Sequence, residues 1–265
     1  MLNLLIMAII TLTTDWGLKD HYTGSVKGAL LSLMPDAAIV DITHEIPPFD
    51  LEPASFVILN CYYNFPKGTI HIIGMNTEAS IETPHIVMLY DGHYFIGADN
   101  GIFSLIAHGK PEKIIELNIP QDSDYFTFST RDVFVKAAYL IAKGEKLEKL
   151  GFEKSALNEM ITLRPIVEAN SIKGNVIYID SYENVITNIR KELFKEVGKG
   201  KKFVISFRGG NDINSISHAY KDVDPGEKLA LFGTSGYLEI AINIGNASSL
   251  LGLKLKDSLR IDFEE

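Results

Sequence analysis

Short apolar runs alternate with polar loops and helical patterns through the first 160 or so residues. The residues from Met7 to about position 13 are mostly apolar or β-branched and predict a first buried strand. A polar loop follows, and residues 29–34 have the spacing of a helix. Because strand, loop and helix then repeat, this part of the chain predicts an α/β domain with a mostly parallel central sheet flanked by helices.

The same patterns predict the remaining elements of this half. The predicted strands cover residues 38–42, 69–74, 85–90 and 94–97, and the predicted helices cover residues 50–60 and 131–143. Asp91 and Gly92 form a hairpin-turn signal between the last two strands. The polar, turn-rich residues 75–84 predict a loop at the end of a strand.

The pattern changes near residue 163. Six short predicted strands follow with turns between them and no long helix, at residues 175–180, 184–189, 202–207, 228–232, 237–242 and 258–263. Such spacing is typical of a small sandwich or barrel. With Pro165 in a linker-like stretch, the sequence predicts two domains, an α/β domain over residues 1–162 and an all-β, barrel-like domain over residues 163–265.

Composition narrows the function classes. The chain has 265 residues and a net charge of −9, which argues against nucleic acid as a partner, since phosphate contacts require clustered lysine and arginine. Cys61 is the single cysteine, so an intrachain disulfide is excluded and a cytoplasmic setting is expected. The apolar N-terminus is too short to span a bilayer and lacks signal-peptide features, so residues 1–6 are interpreted as a short extension and no membrane association is expected.

Two carboxylates follow the first strand, at Asp15 and Asp20. The carboxyl end of a strand in an open α/β sheet is the usual place for a ligand. Without a lysine cluster beside them, paired carboxylates suit hydroxyl donors such as a ribose better than phosphates. The alternative is that Asp15 and Asp20 only cap the following helix and close a turn.

Several other chemistries lack their motifs. The chain has neither a GxGxxG after a strand nor a GxxxxGK[ST] sequence, so a phosphate cradle is not predicted. The seven histidines are scattered, and His44 lacks the partner of a zinc motif, so no metal site is predicted. In the second domain, the amides of Asn184 and Asn188 suit an amino-acid head group, with turn formation as the alternative. Phe49 suits stacking on a flat ring, with a core position as its alternative.

Seven motifs in order identify a family. The chain resembles the S-adenosyl-L-methionine (SAM) hydroxide adenosyltransferases, which also include the SAM-dependent fluorinases and chlorinases, over nearly its whole length. The motifs are TTDWGLKDHYTGSVKG (13–28), DITHEIPPFD (41–50), FPKGTIHI (65–72), ADNGIFS (98–104), TFSTRD (127–132), ENVITNI (183–189) and LFGTSGYLEIAINIGNAS (231–248).

The resemblance implies an N-terminal α/β domain, a C-terminal β-barrel and a homotrimer, with SAM between the N-terminal domain of one subunit and the C-terminal domain of its neighbour. SAM or adenosine is the implied ligand, as substrate and not as cofactor. Asp15 would bind the ribose hydroxyls and Phe49 would line the ribose and adenine pocket. The methionine end and the adenine would meet residues of the second domain, namely Asn184 or Asn188 with Asp180 nearby, Thr234, Ser235, Asn243 and Ala247.

The resemblance also locates the water site. Hydroxide-transferring members carry an Asp, an Arg and a His that activate water, and the matching positions here hold Asn76, Thr83 and Ser129. The fluorinases place a Ser where Thr130 stands, but they use Tyr and Thr at the positions of Asn76 and Ala79. Asn76, Ser129 and Thr130 are thus the candidate catalytic residues, as hydrogen-bond donors, and a carboxylate from the 75–84 loop, Glu78 or Glu82, is an alternative base.

Three functions follow from these positions. In the first, the protein cleaves SAM at C5′ with water or hydroxide, giving adenosine and L-methionine through a rearranged water site. The second is a catalytically inactive SAM- or adenosine-binding protein. The third is a SAM-dependent halogenase, which is disfavoured because the halogenase pocket residues are not reproduced.

Overall fold

The structure, a computed structural model, describes residues 7–121, 124 and 126–264. The predicted extension over residues 1–6 lies outside them. The chain divides between Met160 and Ile161 into two compact units, here called unit 1 and unit 2 in chain order. None of the helices in the described ranges has the length and apolar character needed to cross a membrane.

Unit 1 contains a seven-stranded sheet in the order β2-β1-β3-β5-β4-β6-β7. Its first strand begins at Ile9 and not at Met7, which is exposed. The strands are β1 (Ile9–Thr14), β2 (Ala38–Thr43), β3 (Ile70–Gly74), β4 (His85–Tyr90), β5 (His93–Ala98), β6 (Lys113–Leu117) and β7 (Gly151–Glu153).

The sheet of unit 1 is mixed, which corrects the expectation of a mostly parallel sheet. The pairings of β1 with β2, β1 with β3, and β3 with β5 are parallel. The pairings of β4 with β5, β4 with β6, and β6 with β7 are antiparallel. The predicted Asp91-Gly92 turn is the physical reason for the first of these, because a two-residue connection can join only antiparallel strands.

Helices cover both faces of this sheet. The helices are α1 (Tyr22–Leu33), α2 (Leu51–Leu59), α3 (Ile102–Ile106) and α4 (Val135–Ala142), with a π-helix (Thr130–Phe134) directly before α4 and single 3₁₀ turns at Tyr62–Asn64 and Leu147–Lys149. Strand β3 is buried on both faces: Ile72 packs in the core with α1 and α4, and Ile73 packs in the core with α2 and α3. Strand β3 is therefore central in the layered structure, and its carboxyl end opens onto a loop.

Unit 2 is one curled sheet of nine strands. Its strands are β8 (Ile166–Glu168), β9 (Ser171–Ile179), β10 (Val185–Arg190), β11 (Phe203–Phe207), β12 (Asn211–Ile213), β13 (Ile216–Ser217), β14 (Lys228–Phe232), β15 (Tyr237–Ile242) and β16 (Ser258–Phe263). The first part of β9 pairs with β16, and its second part pairs with β10. The sheet therefore bends around β9 as a half-barrel with a large apolar core, and Leu229, Leu231 and Ala241 form a second, small apolar cluster.

Helices in unit 2 are short. They are α5 (Lys191–Gly198), which the sequence patterns did not predict, α6 (Ala247–Leu251), and a 3₁₀ turn at Tyr220–Asp222. Helix α5 places Phe194 against Phe232 and Phe263 at ring-centroid distances of 5.4 Å each. Helix α5 has few apolar residues, so its hydrophobic pattern is too short to distinguish a helix from a strand.

Candidate functional site

Four strands of unit 1 end at one edge of its sheet. Strands β1, β2, β3 and β5 are mutually parallel, so the loops that follow Thr14, Thr43, Gly74 and Ala98 all leave the sheet on the same side. This is the position at which open α/β sheets bind ligands. The structure thus brings the loops of Asp15, Phe49 and Asn76 to one edge.

Asp15 directly follows β1 and is half-buried. Its Oδ2 accepts a hydrogen bond from the backbone N–H of Phe49 at 2.9 Å. Its Oδ1 accepts none from the residues that the structure describes, so it has capacity for a ligand hydroxyl. Asp20 is fully exposed, and α1 begins after His21 without a side-chain cap, so Asp20 does not cap this helix.

Phe49 is held in an unusual conformation. Its φ angle of +64° lies in the left-handed region, which costs a bulky residue about 1–3 kcal/mol. Its ring is 75% exposed, so the core alternative for Phe49 is wrong. An exposed aromatic ring beside a half-buried carboxylate offers a stacking surface next to a hydroxyl acceptor.

Trp16 connects three loops of this edge. Its ring packs so closely on Gly74 that a Cβ at that residue would lie 2.6 Å from the ring. It also contacts the Phe128 ring edge-on at a centroid distance of 5.6 Å, and Phe128 directly precedes Ser129. The loops of Asp15, Asn76 and Ser129 are therefore coupled through one indole.

Asn76 follows β3 in a left-handed conformation, with φ +44° and an exposed side chain. The side-chain amide of Asn100 donates to the carbonyl oxygens of Met75 at 3.1 Å and of Asn76 at 3.4 Å, which fixes the start of this loop. Farther along, Ser80 and Thr83 hydrogen-bond to each other through their hydroxyl groups at 2.9 Å. Thr83 therefore belongs to the loop's own turn.

The two loop carboxylates point to solvent. Glu78 and Glu82 are both exposed, and neither carboxylate accepts a hydrogen bond in the described ranges. The structure therefore does not fold either glutamate inward, as the alternative base would require.

Ser129 and Thr130 are both buried, at 2% and 0% exposure. The Oγ1 of Thr130 has no hydrogen-bond partner among the described residues, an uncommon state for a buried hydroxyl. Thr130 opens the π-helix, a distortion that is frequent at functional sites. A buried hydroxyl without a partner is suited to hold a small polar species, such as water or an anion.

In unit 2, Asp180 organises a tight turn before β10. Its carboxylate accepts hydrogen bonds from the backbone of Tyr182 and Asn184 and from the side-chain amide of Asn184, at 2.8–3.0 Å. Asn184 is 6% exposed, so it is buried against this carboxylate. Glu183 lies between them with φ +63°, and its carboxylate accepts from the N–H of Ser249 in α6 at 2.9 Å.

Asn188 and Asn243 are already engaged by the fold. The Oδ1 of Asn188 accepts from the N–H of Asn175 at 2.8 Å, and its Nδ2 donates to the carbonyl of Leu163 at 2.8 Å. The Nδ2 of Asn243 donates to the carbonyl of Val223 at 2.7 Å. For Asn188, both ends of the amide have backbone partners distant in sequence, so the side chain joins separate segments of unit 2 and does not form a local turn.

The remaining candidates lie in the β14–β15 turn and at α6. Thr234 is exposed, and the Oγ of Ser235 accepts weakly from the N–H of Tyr237 at 3.4 Å. Ala247 is buried as the first residue of α6, so only its backbone is available to a ligand.

Comparison with known proteins identifies the family of the chain. The SAM hydroxide adenosyltransferase N-terminal domain matches residues 10–151, and the C-terminal domain of the same family matches residues 174–260. The chain belongs to the SAM hydroxide adenosyltransferase family. It is 32% identical to the (R)-S-adenosyl-L-methionine hydrolase of Methanocaldococcus jannaschii, over 97% of this chain and 96% of that protein.

Other proteins are similar to the chain over nearly its whole length. The fluorinase of Nocardia brasiliensis is 26% identical over 96% of each chain. The crystal structure of an uncharacterised conserved protein from Thermotoga maritima matches the fold of this chain with a TM-score of 0.87. The two sequences are 32% identical, and the match covers 96% of this chain and 99% of that one.

Sequence reasoning missed two polar residues of this family member. His44, 3% exposed, bonds through Nδ1 to the hydroxyl of Thr14 at 2.7 Å and so supports the Asp15 loop. Glu239, 6% exposed on β15, accepts from the Tyr220 hydroxyl at 2.7 Å, and burial raises its pKa. A carboxylate within the apolar run of β15 was the available signal for Glu239.

Proposed function

We propose that this family member binds SAM and cleaves it at C5′ with water or hydroxide, giving adenosine and L-methionine. Relatives from M. jannaschii, Thermus thermophilus and Salinispora tropica, which are 27–32% identical over at least 91% of this chain, carry the name (R)-S-adenosyl-L-methionine hydrolase. The observation that carries the proposal is the pairing of the open oxygen of Asp15 with the exposed Phe49 ring at the sheet edge. That pair suits a ribose and a flat base.

The departure of the leaving group needs little assistance from the protein. The sulfur of SAM carries a positive charge and leaves as a neutral thioether, so no general acid is needed. The attacking water does benefit from a proton acceptor, which contributes about 10²–10⁴-fold. Asn76, Ser129 and Thr130 can orient a nucleophile through hydrogen bonds, but an amide and two hydroxyls are not bases near neutral pH.

Unit 2 supplies groups that suit the amino-acid end of the ligand. The Asp180 carboxylate and the neighbouring Asn184 amide match an ammonium and a carboxylate, respectively. Thr234, Ser235 and the backbone at Ala247 are proposed to complete this part of the site. Asn188 and Asn243 are proposed to support it by fixing the backbone around it.

A halogenase is a further candidate function, disfavoured because the halogenase pocket residues are not reproduced, and the orphan hydroxyl of Thr130 is the observation in its favour. A halide has no proton to lose and is stabilised by a few donors in a desolvated site. The buried, unpartnered Oγ1 of Thr130 is one such donor. A SAM- or adenosine-binding protein without turnover is the third candidate, favoured by the absence of a base among Asn76, Ser129 and Thr130.

Product analysis separates the three candidates. Purified protein is incubated with SAM, with and without chloride, and the products are identified by chromatography and mass spectrometry. Adenosine and methionine above the no-protein control support the hydrolase, and a 5′-chloro product supports the halogenase. Retention of SAM or adenosine without turnover supports the binding protein, and neither product nor retention refutes the SAM assignment.

The assembly and the cellular setting are also proposed from the resemblance. The homotrimer with its sites at subunit interfaces rests on the family resemblance alone, and the cytoplasmic setting fits a chain that carries one cysteine. Analytical ultracentrifugation tests the trimer: a sedimenting species of three chains supports it, and a monomer at substrate-binding concentrations refutes it.

A further inference from the structure

His85 lies at the edge of the unit 1 sheet that carries the candidate site, and the groups proposed so far for SAM cleavage do not include it. It is the first residue of β4, and it pairs with Ala98, the last residue of β5. Since β4 is antiparallel to β5, the start of β4 lies where β3 and β5 end. His85 therefore lies at the same edge as Asn76, and it is partly buried there.

The hydrogen bond of His85 fixes which ring nitrogen is protonated. Its Nε2 lies 2.8 Å from the carbonyl oxygen of Thr77, the residue after Asn76. A carbonyl oxygen only accepts hydrogen bonds, so Nε2 carries the hydrogen and the neutral ring keeps a lone pair on Nδ1. Within the described ranges Nδ1 has no hydrogen-bond partner. The ring thus anchors the loop with one nitrogen and leaves the other available.

The imidazole also contacts the π-helix. The rings of His85 and Phe134 meet edge-on at a centroid distance of 4.9 Å. Phe134 ends the single π-turn that Thr130 begins. His85 therefore contacts the same π-helix that carries the unpartnered hydroxyl of Thr130.

Burial is the main influence on the protonation of His85. It lowers the pKa of the imidazole, and the bond to Thr77 raises it in part. The charged groups on the elements around it are engaged elsewhere or exposed: Arg131 pairs with Asp132 on the π-helix, Asp99 pairs with Lys154 at 3.4 Å after β5, and Glu78 and Glu82 face solvent. The ring is therefore neutral at neutral pH, as a proton acceptor must be.

We infer that Nδ1 of His85 accepts the proton of the attacking water, a role that rests on the proposed SAM hydrolysis. The water oxygen forms a bond to C5′ while the C5′–S bond breaks and its electron pair stays on sulfur, giving methionine. The proton lost by the water passes to Nδ1, and the imidazolium then releases it to solvent. Asn76 and Thr130 orient the water, and the base lies on β4, outside the positions that hold Asn76, Thr83 and Ser129.

Two isosteric variants test the roles of the two ring nitrogens of His85 separately. His85→Gln places an amide N–H where Nε2–H lies, so it keeps the bond to Thr77 and removes the acceptor. His85→Asn places its amide near the position of Nδ1 and removes the anchor. The exposed His218 in unit 2 provides the matched control, His218→Gln. All variants are compared with the wild type by kcat, KM for SAM, product identity and thermal unfolding.

We expect H85Q to lower kcat by about 10²–10⁴-fold with little change in KM, because the base is lost and the loop is kept. Its remaining rate is expected to rise in proportion to hydroxide. H85N is expected to change KM as well, and H218Q is expected to behave as the wild type. A folded H85Q with wild-type kcat, or with an unaltered pH profile, overturns the inference.

The wild type provides a test that does not depend on a variant folding. Its kcat is expected to fall on the acid side with one protonation below the ordinary histidine value of 6.5. A kcat proportional to hydroxide through the neutral range overturns the inference. A wild type that forms no adenosine refutes the proposed function itself, whereas an active wild type with an equally active H85Q refutes only the role of His85.

Discussion

The polar residues of the two units differ in how many of their hydrogen-bonding atoms already have partners within the protein. In unit 1, Asp15 has one oxygen bonded to Phe49 and the other open, and the hydroxyl of Thr130 has no partner. In unit 2, Asn188 has backbone partners at both ends of its amide. Asp15 follows a predicted strand, Thr130 directly precedes a predicted helix and Asn188 lies within a predicted strand, and these positions and residue types alone do not distinguish a ligand-binding group from one that stabilises the backbone.

Among the variants that test this comparison, Gly74→Ala has the largest expected effect. The new Cβ would lie 2.6 Å from the ring of Trp16, so the indole must move and carry the Asp15 loop with it. A displacement of about 1 Å at a reacting site can cost about 100-fold in rate. We expect kcat/KM for SAM to fall by about that factor, together with a loss of about 1–3 kcal/mol in the free energy of unfolding.

Kinetics and thermal unfolding of G74A measure both effects. Gly28→Ala is the control, because a Cβ there meets no atom within 4 Å. A G74A variant with unchanged kinetics would show that Trp16 does not couple the loops at the sheet edge.

Asp15→Asn tests the open oxygen of unit 1. The amide oxygen of asparagine can still accept from the N–H of Phe49, but the negative charge is lost. A hydrogen bond to a charged group contributes about 1.5–3 kcal/mol, which corresponds to about 10–100-fold in SAM affinity. Isothermal titration with SAM or adenosine measures this. An affinity equal to that of the wild type would remove Asp15 from the ligand site.

Asn188→Ala makes the opposite prediction for unit 2. It removes the partners of the Asn175 N–H and the Leu163 carbonyl, so we expect a loss of about 1–3 kcal/mol in unfolding free energy. SAM affinity is expected to stay within about threefold of the wild type once the folded fraction is corrected, since about 0.7 kcal/mol is within the scatter of indirect effects. Chemical denaturation and titration measure the two quantities. A large loss of affinity without a loss of stability would place Asn188 on the ligand.

Two buried titratable groups, His71 in unit 1 and Glu239 in unit 2, make stability depend on pH in opposite directions. In unit 1, His71 bonds to Thr11 at 2.7 Å and to His93 at 3.2 Å, and burial lowers the pKa of His71 to about 3. The unfolded chain binds this proton near pH 6.5 and the folded chain does not. Unit 1 therefore loses stability as the pH falls from about 6.5 towards 3.

Amide hydrogen exchange in unit 1 measures this slope, and His71→Leu is expected to reduce it. An H71L variant with the same slope between these pH values would show that other groups cause the acid sensitivity.

Glu239 makes the stability of unit 2 depend on pH in the opposite direction, and we expect this effect to be smaller. Burial raises its pKa in the folded state, so its stabilising contribution is present below its ordinary pKa of 4.5 and is lost as the pH rises through the folded value. Glu239→Gln keeps an acceptor for the Tyr220 hydroxyl and removes the ionisation. We expect E239Q to be more stable than the wild type at pH 7 and similar to it at pH 4.

Thermal unfolding at the two pH values measures the effect of E239Q. The exposed Glu227→Gln is its control. A destabilised E239Q at pH 7 would show that the charged form of Glu239 is needed by the fold.

The sequence predicted strands better than it predicted helices or pairing. Residues 85–90, 228–232, 237–242 and 258–263 form strands with the predicted bounds, because each is a short apolar or alternating run between turn residues. Helix α1 begins seven residues before its predicted start of 29, at Tyr22, because Gly24 and Gly28 weaken the helical signal. The mixture of parallel and antiparallel strand pairs depends on contacts between distant residues, which local sequence patterns do not contain.

The candidate site was predictable in its location and not in its detail. Asp15 and Phe49 reach the expected edge because parallel strands align their ends. The open oxygen of Asp15, the orphan hydroxyl of Thr130 and the tautomer of His85 depend on partners 8 to 34 residues away in sequence, or on the lack of one. Such states are set by the tertiary packing, which the order of residue types does not specify.

The shared strand β9 has a consequence for the order in which the protein folds during synthesis. Strand β9 pairs with β10, which follows it at once, and with β16, which the ribosome makes much later. Unit 1 has all its strands once residue 153 has emerged, whereas in unit 2 the first half of β9 has only β8 as a partner and must wait for β16 on its other side. A nascent chain halted before β16 therefore exposes an open strand edge, which makes that interval the one in which a chaperone is most useful.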